Sequence, residues 1–125
     1  MILDTNALTA IAAGAPGAVK KFAAADQVAV PVIALGEYRF GIAQSRHRSE
    51  YERWLVELLR VARVLEVDAE TADSYAALRL QLKQAGTPIP SNDAWIAALC
   101  RQHALPLLSR DRHFDLVKGL KRLAW

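Results

Sequence analysis

The chain has 125 residues, of which 53% are hydrophobic and 23% charged, and its formal net charge is +3. This composition excludes a disordered protein and predicts a single domain over residues 1–125. No apolar segment approaches the roughly 20 residues of a membrane-spanning helix, and Asp4 argues against a signal peptide. The only cysteine, Cys100, lies in an apolar run, so we expect a buried thiol in a cytoplasmic protein without membrane contact.

The first half of the chain alternates short apolar runs with amphipathic segments. In chain order, its predicted elements are a strand at Met1–Asp4, helices at Thr5–Ala12 and Gly17–Ala24, a strand at Val28–Val30, and helices at Ile33–Ser45 and Ser49–Val61. The first helix is capped by Asp4 or Thr5, since both side chains can accept a hydrogen bond from a free backbone amide.

The second half continues the alternation. Its predicted elements are a strand at Val64–Val67, a helix at Asp68–Gln84, a helix capped by Ser91 that runs to His103, and strands at Leu105–Ser109 and Leu120–Trp125. Strands that alternate with helices indicate a three-layer α/β/α fold with a mainly parallel central sheet of four to five strands. In such a fold the carboxyl ends of the strands share one edge, where binding sites form.

Four acidic residues occupy positions that this topology brings towards that edge. Asp4 ends the first strand, Glu37 lies about one turn into a helix, Asp93 opens another helix, and Asp111 follows the apolar pair before Ser109. Each has a structural explanation when taken alone: a cap, a solvated helix residue, a charge favoured by the helix dipole, and a turn residue. Several strand–helix junctions that deliver carboxylates to one edge nevertheless favour a common site.

Clustered carboxylates need a cation. Two of them about 4 Å apart repel by roughly 4 kcal/mol at an effective dielectric of 20. Their oxygen atoms are the ligands that Mg²⁺ or Mn²⁺ prefers, and either ion can polarise a phosphoryl oxygen and activate water. Zinc is disfavoured because His47, His103 and His113 show no ligand spacing, and we expect these histidines to face solvent or end helices.

The remaining charges suit a polyanionic substrate. With the four acids sequestered, 16 basic residues face nine acidic ones, a charge of +7 for the rest of the molecule. Arg110 and Arg112 flank the last acid and are possible contacts to phosphates, and we expect Arg39 and Arg110 to offset the charge of the acids.

Four segments together resemble the PIN-domain nucleases, and within them the VapC-type toxins of bacterial toxin–antitoxin pairs. They are Ile2–Asn6, Leu35–Ile42, Ile89–Ala98 and Leu107–Phe114, which contain all four acids in the family's order. The resemblance implies an endoribonuclease that holds Mg²⁺ or Mn²⁺ with Asp4, Glu37, Asp93 and Asp111. It also implies supporting polar roles for Asn6 and Ser109, and it leaves Asp115 as an alternative fourth acid.

The same resemblance implies partners and a mechanism. A VapB-like antitoxin is expected on the hairpin of helices near residues 33–46 and 49–61, and the toxin is expected to be a homodimer. Asp4 and Asp93 would be the main ligands of a first metal ion. Glu37 and Asp111 would complete its shell, hold a second ion when the substrate brings its phosphate, or orient the attacking water. Hydrolysis of RNA would then leave a 5′-phosphate and a 3′-hydroxyl.

Two other functions fit parts of the pattern. Asp4 at a strand end is a candidate phosphoryl acceptor, although the aspartyl phosphatases carry a second aspartate where this chain has Asn6. A degenerate domain that binds RNA or protein is the other alternative, but such a domain gains nothing from clustered carboxylates.

Overall fold

A computed structural model describes all residues from 1 to 125, and its elements alternate along the chain. In chain order they are β1 (Ile2–Leu3), α1 (Thr5–Ala12), α2 (Pro16–Ala23), β2 (Val28–Pro31), α3 (Val32–Ala43), α4 (Arg48–Val61), β3 (Ala62–Leu65), α5 (Ala69–Gln84), α6 (Ser91–His103), β4 (Leu107–Leu108), a 3₁₀ helix (Arg112–Leu116) and β5 (Arg122–Leu123). No helix among them combines the length and the apolarity needed to cross a bilayer.

The five strands form one sheet in the order β3-β2-β1-β4-β5, and every pair in it is parallel. All residues of β1, β2 and β4 are buried, as expected for parallel strands covered by helices on both faces. The prediction of a three-layer α/β/α fold with a mainly parallel sheet is therefore confirmed. Because β1 is central, the residue that follows it, Asp4, lies in the middle of the carboxyl edge.

Several predicted boundaries are wrong by one or two residues. β4 was predicted at Leu105–Ser109 and β5 at Leu120–Trp125, and both strands are shorter. β3 was predicted at Val64–Val67, but α4 passes directly into a strand at Ala62–Leu65. The reason is register: Ala62 pairs with Val28 and Leu65 with Pro31, so β2 ends before Glu66 and Val67 find a partner, and both are exposed. The limits of β3 are therefore set by its pairing with β2, and the residues of β3 alone do not indicate them.

The start of α6 is a further correction. Ser91 was predicted as its cap, but the cap position belongs to Pro90 in extended conformation, and Ser91 is the first helical residue. The Ser91 hydroxyl accepts a hydrogen bond from Arg79 Nη1 at 3.3 Å instead of capping a backbone amide. Asp93 then occupies the third position of the helix, within the first turn, where the helix dipole favours a negative charge.

The core fills the space between the sheet and its helices. Phe114, at the 3₁₀ helix, is 1% exposed, so this short element is anchored to the core next to β4. Cys100 is buried as predicted, and burial raises the pKa of its thiol to about 12. It therefore acts as a small apolar side chain.

Candidate active site

Asp4 is the most buried of the four acids, with 4% of its surface exposed. Its Oδ1 accepts a hydrogen bond from the Ala7 amide at 2.8 Å and caps α1, and its Oδ2 accepts one from the Ser109 hydroxyl. Burial raises the pKa of Asp4 to about 6; the two hydrogen bonds lower it, and the charges of Asp111 and Asp93 raise it further. Asp4 is therefore fixed in position but costly to keep ionised.

Asp93 and Asp111 approach each other from different elements. Asp93 lies in the first turn of α6, and Asp111 lies in the turn after β4, where its Oδ1 accepts a hydrogen bond from the His113 amide at 2.8 Å. Their ligand atoms and one of His113 all lie within 4.8 Å of one another. Burial raises the pKa of Asp93, and the charge of Asp111 raises it further.

Glu37 approaches the same place from α3. Its side chain is exposed, and its Oε1 accepts a hydrogen bond from the Thr5 hydroxyl at 3.0 Å, which ties α3 to the first turn of α1. The charge of Glu37 contributes to the raised pKa of Asp93, so the two carboxylates interact electrostatically. Asp4 and Glu37 nevertheless lie outside the tight group formed by Asp93, Asp111 and His113.

Ser109 connects the acids, whereas Asn6 does not. The hydroxyl of the fully buried Ser109 donates a hydrogen bond to Asp4 and accepts one from the Asp111 amide at 2.9 Å. One side chain thus holds two of the acids in a fixed relation. Asn6 is exposed in α1, and no hydrogen bond joins it to an acid.

Asp115, the alternative fourth acid, has a different partner. Arg122 binds it in a bidentate manner, with Nε 2.8 Å from Oδ1 and Nη2 2.9 Å from Oδ2. These hydrogen bonds lower the pKa of Asp115, the opposite of the shift at Asp4 and Asp93. Of the two candidates, only Asp111 lies with the other acids.

The expected compensation by arginines is absent. Neither Arg39 nor Arg110 forms an ion pair, and the Arg110 guanidinium lies 4.9 Å from the centre of the Trp125 ring. Arg112 is exposed and makes no ion pair either. The side chain that contacts the acids is His113, whose Nδ1 lies 3.2 Å from Asp111 Oδ1 and 3.4 Å from Asp93 Oδ2.

His113 was predicted to face solvent or end a helix, and its contact with the acids was not predicted. Its side chain is indeed 51% exposed, but one edge of the ring faces two carboxylates. The sequence offers one indication of this contact, since His113 follows Asp111 by two residues. The segment is too short to show a periodicity that would predict the direction of the side chain.

The donor set fits a divalent cation. Carboxylate oxygens converge from separate elements, and burial and mutual repulsion raise the pKa of Asp4 and Asp93. A bound cation would relieve both costs. The cluster can therefore hold a hard divalent ion at the carboxyl edge of the sheet, next to surface accessible to a large substrate.

Sequence comparisons find related proteins. The family model "PIN domain" matches residues 1–120. Ribonuclease VapC5 of Mycobacterium tuberculosis is 32% identical over 120 residues, which is 94% of this chain and 87% of that protein. Ribonuclease VapC4 of the same organism is 31% identical over 87 residues, covering 68% and 67% of the two chains.

A solved structure shares the whole fold. A chain in the crystal structure of VapBC2 from Rickettsia felis, bound to a DNA fragment from the promoter, superposes with a TM-score of 0.86. The match covers 99% of this chain and 97% of that one at 23% identity, so it establishes the architecture.

Proposed function

The chain belongs to the PIN domain family, and from that premise we propose that it is an endoribonuclease and the toxin of a VapBC-type toxin–antitoxin pair. Residues 1–125 would act as one nuclease domain that uses Mg²⁺ or Mn²⁺ in the cytoplasm. The relatives named ribonuclease support the substrate class. The observation that carries the proposal is the convergence of Asp93 and Asp111 beside Asp4 and Glu37.

The four acids have different roles, which follow from their burial and hydrogen bonds. Asp4 is held in place, since both of its oxygens accept hydrogen bonds, and with Asp93 it would supply the main ligands of the ion. Asp111 would complete the ligand set. The exposed Glu37, oriented by Thr5, orients the attacking water and accepts its proton. The bound ion would polarise a phosphoryl oxygen and make water more acidic.

The reaction is a hydrolysis. The water oxygen bonds to phosphorus in line with the departing 3′ oxygen, the P–O3′ bond breaks, and the 3′ oxygen leaves with a proton. The products are a 5′-phosphate and a 3′-hydroxyl. The burial of Asp4 favours this reaction over phosphorylation of that residue, because an acceptor oxygen must be reached by the phosphoryl donor.

The surface beside the site suits a protein partner. A groove of about 270 Å³ begins at Thr5 and Glu37 and runs between α1, α3 and α4 past Tyr38 to Tyr51. Phe40 on α3 is 69% exposed. A VapB-like antitoxin that docks on α3 and α4 would cover both features, and a homodimer would cover other exposed apolar side chains.

The decisive test is RNA cleavage by purified protein. Wild-type protein should cleave RNA in Mg²⁺ or Mn²⁺ and lose the activity in EDTA, while Asp93→Asn should reduce the rate at least about 100-fold because one ligand charge is gone. Asp26→Asn is the matched control, since Asp26 is exposed at the opposite end of the sheet before β2. Circular dichroism should show equal folding, and wild-type cleavage that survives chelation would refute the proposal.

A further inference from the structure

We propose that His113 is a nitrogen ligand of the cation held by Asp93 and Asp111, and that it shifts the preference of the site from Mg²⁺ towards Mn²⁺. The inference rests on the proposed function only in assuming that the acid cluster holds a divalent ion. It concerns which ion is preferred and which side chain decides that preference.

The imidazole ring of His113 lies beside two of the acids. His113 Nδ1 lies 3.2 Å from Asp111 Oδ1 and 3.4 Å from Asp93 Oδ2, so a single atom faces carboxylates that come from two separate elements. A group of three ligand atoms within 4.8 Å of one another is compact enough to share one ion. No other histidine of the chain approaches these acids.

The backbone around His113 fixes the position of its ring. The amide of His113 donates a hydrogen bond at 2.8 Å to the same Asp111 oxygen that faces its ring. The next residue, Phe114, is buried, which anchors the 3₁₀ helix against the core beside α6. The side chain is therefore held by a turn and a core anchor, although half of its surface is exposed.

No lysine or arginine forms an ion pair with Asp93 or Asp111. Arg122 pairs with Asp115, although the charge of Asp111 also contributes to the raised pKa of Arg122, and Arg110 lies over Trp125. The only group that faces both is an imidazole, which coordinates metals through a ring nitrogen in its neutral form. An arginine at this position would offset the charge but would block the ion, whereas a histidine can join its ligand shell.

The choice of metal follows from ligand chemistry. Both ions favour oxygen ligands, but Mg²⁺ demands them in near-ideal octahedral geometry, whereas Mn²⁺ is a transition-metal ion and accepts an imidazole nitrogen more readily. An imidazole added to these carboxylates therefore raises the affinity for Mn²⁺ more than the affinity for Mg²⁺. Replacing His113 should cost affinity for Mn²⁺ and leave that for Mg²⁺ nearly unchanged.

The test uses full-length protein loaded with Mn²⁺ and examined by pulsed electron paramagnetic resonance. Wild-type protein should show the modulation of a directly bound imidazole nitrogen, and labelling histidine with ¹⁵N should change it to the ¹⁵N pattern. The signal should vanish in His113→Ala and in His113→Asn, which keeps a polar side chain. It should persist in His103→Ala, because His103 lies at the other end of α6 from Asp93.

Calorimetry supplies the second readout. Mn²⁺ affinity should fall about tenfold in His113→Asn, while Mg²⁺ affinity changes less than about twofold. Bound Mn²⁺ without nitrogen coupling, or equal losses for both ions, would overturn the role of His113 and leave the proposed nuclease intact. Nitrogen coupling in a protein that never cleaves RNA would refute the nuclease and keep the ligand. Absence of Mn²⁺ binding would refute both.

Discussion

Asp4 serves both as the cap of α1 and as a member of the acid cluster, and these two uses differ in electrostatic cost. Capping holds the carboxylate next to the Ala7 amide, where a negative charge is favourable. Burial together with Asp93 and Asp111 opposes ionisation and raises its pKa to about 6. Without a cation, the folded protein therefore keeps this site ionised at the expense of stability near neutral pH.

The pH dependence of metal-free protein tests this residue. A raised pKa means that the folded state holds the Asp4 proton more tightly than the unfolded state, whose value lies near 3.8. This contribution to stability is complete below the unfolded value and is lost as the pH rises through about 6. In EDTA, Tm should therefore rise by roughly 3–8 °C as the pH falls from about 7.5 to about 5.

The control separates Asp4 from the other carboxylates. Asp68 and Asp115 have lowered pKa values because of hydrogen bonds from Thr71 and Arg122, so their contributions are lost only at more acidic pH. Asp4→Asn should reduce the rise and leave the part that comes from Asp93, whose pKa is also raised. Asp26→Asn should keep the whole rise, as measured by differential scanning fluorimetry. An equal rise in Asp4→Asn would show that Asp4 is not the source.

At the scale of elements, β4, the 3₁₀ helix and β5 form a support behind the acids. Arg122 on β5 donates to the Ser109 carbonyl at 3.0 Å while it binds Asp115 of the 3₁₀ helix. The Ser109 amide donates to the Leu123 carbonyl at 3.0 Å. Ser109 in turn holds Asp4 and Asp111, so Arg122 positions the acids through Ser109 without touching them.

Loss of this support should lower activity more than stability. Arg122→Gln removes the bidentate pair with Asp115, and the resulting freedom at Ser109 should reduce cleavage roughly tenfold, as for other residues that orient metal ligands. The measurements are the cleavage rate at saturating metal, the affinity for Mn²⁺, and Tm. Unchanged metal affinity and rate would show that the support does not reach the site.

Thr71→Val is the matched control. Thr71 is fully buried and hydrogen-bonds Asp68 and Gln102, which joins the start of α5 to the end of α6. Valine leaves these partners unsatisfied and should cost about 1–2 kcal/mol of stability. Gln102 lies about 14 Å along the helix axis from Asp93, so cleavage below the melting transition should be unaffected.

At the scale of the whole molecule, charge is separated. The chain carries +3 overall while four of its acids gather at one edge of the sheet, so the rest of the molecule carries +7. Arg112 is exposed beside the cluster and forms no ion pair, whereas Arg110 is partly occupied by Trp125. Arg112 is thus the arginine next to the acids that is freest to bind a phosphate.

Salt dependence measures this contribution. In an Asp93→Asn background, which we expect to prevent cleavage, Arg112→Ala should weaken RNA binding about three- to tenfold. It should also reduce the slope of log affinity against log salt by about 0.7. Arg63→Ala should have little effect, because Arg63 lies near Met1 and Gln27 at the amino edge of the sheet. Equal effects of both variants in a fluorescence anisotropy titration would mean that binding is spread evenly over the surface.

The sequence by itself determined the helices and strands, but not the 3₁₀ helix at Arg112–Leu116, and it determined the edge at which the acids lie. The apolar runs before Asp4 and Asp111 predict strands that end there, and parallel strands joined by helices can deliver those ends only to a common edge. These conclusions rest on local periodicity and chain connectivity, which the residues of each segment specify. The boundaries of α1 were predicted correctly for the same reason.

Tertiary structure decided everything that depends on the partner of a side chain. Asp115 binds Arg122 and is not part of the acid cluster, whereas Asp111 lies beside Asp93. Pairing with β2 makes β3 begin at Ala62, directly after α4. His113 meets Asp93 only because α6 and the 3₁₀ helix pack together. Such contacts join residues distant in the chain, and their distances follow from packing and hydrogen bonding, which no local pattern encodes.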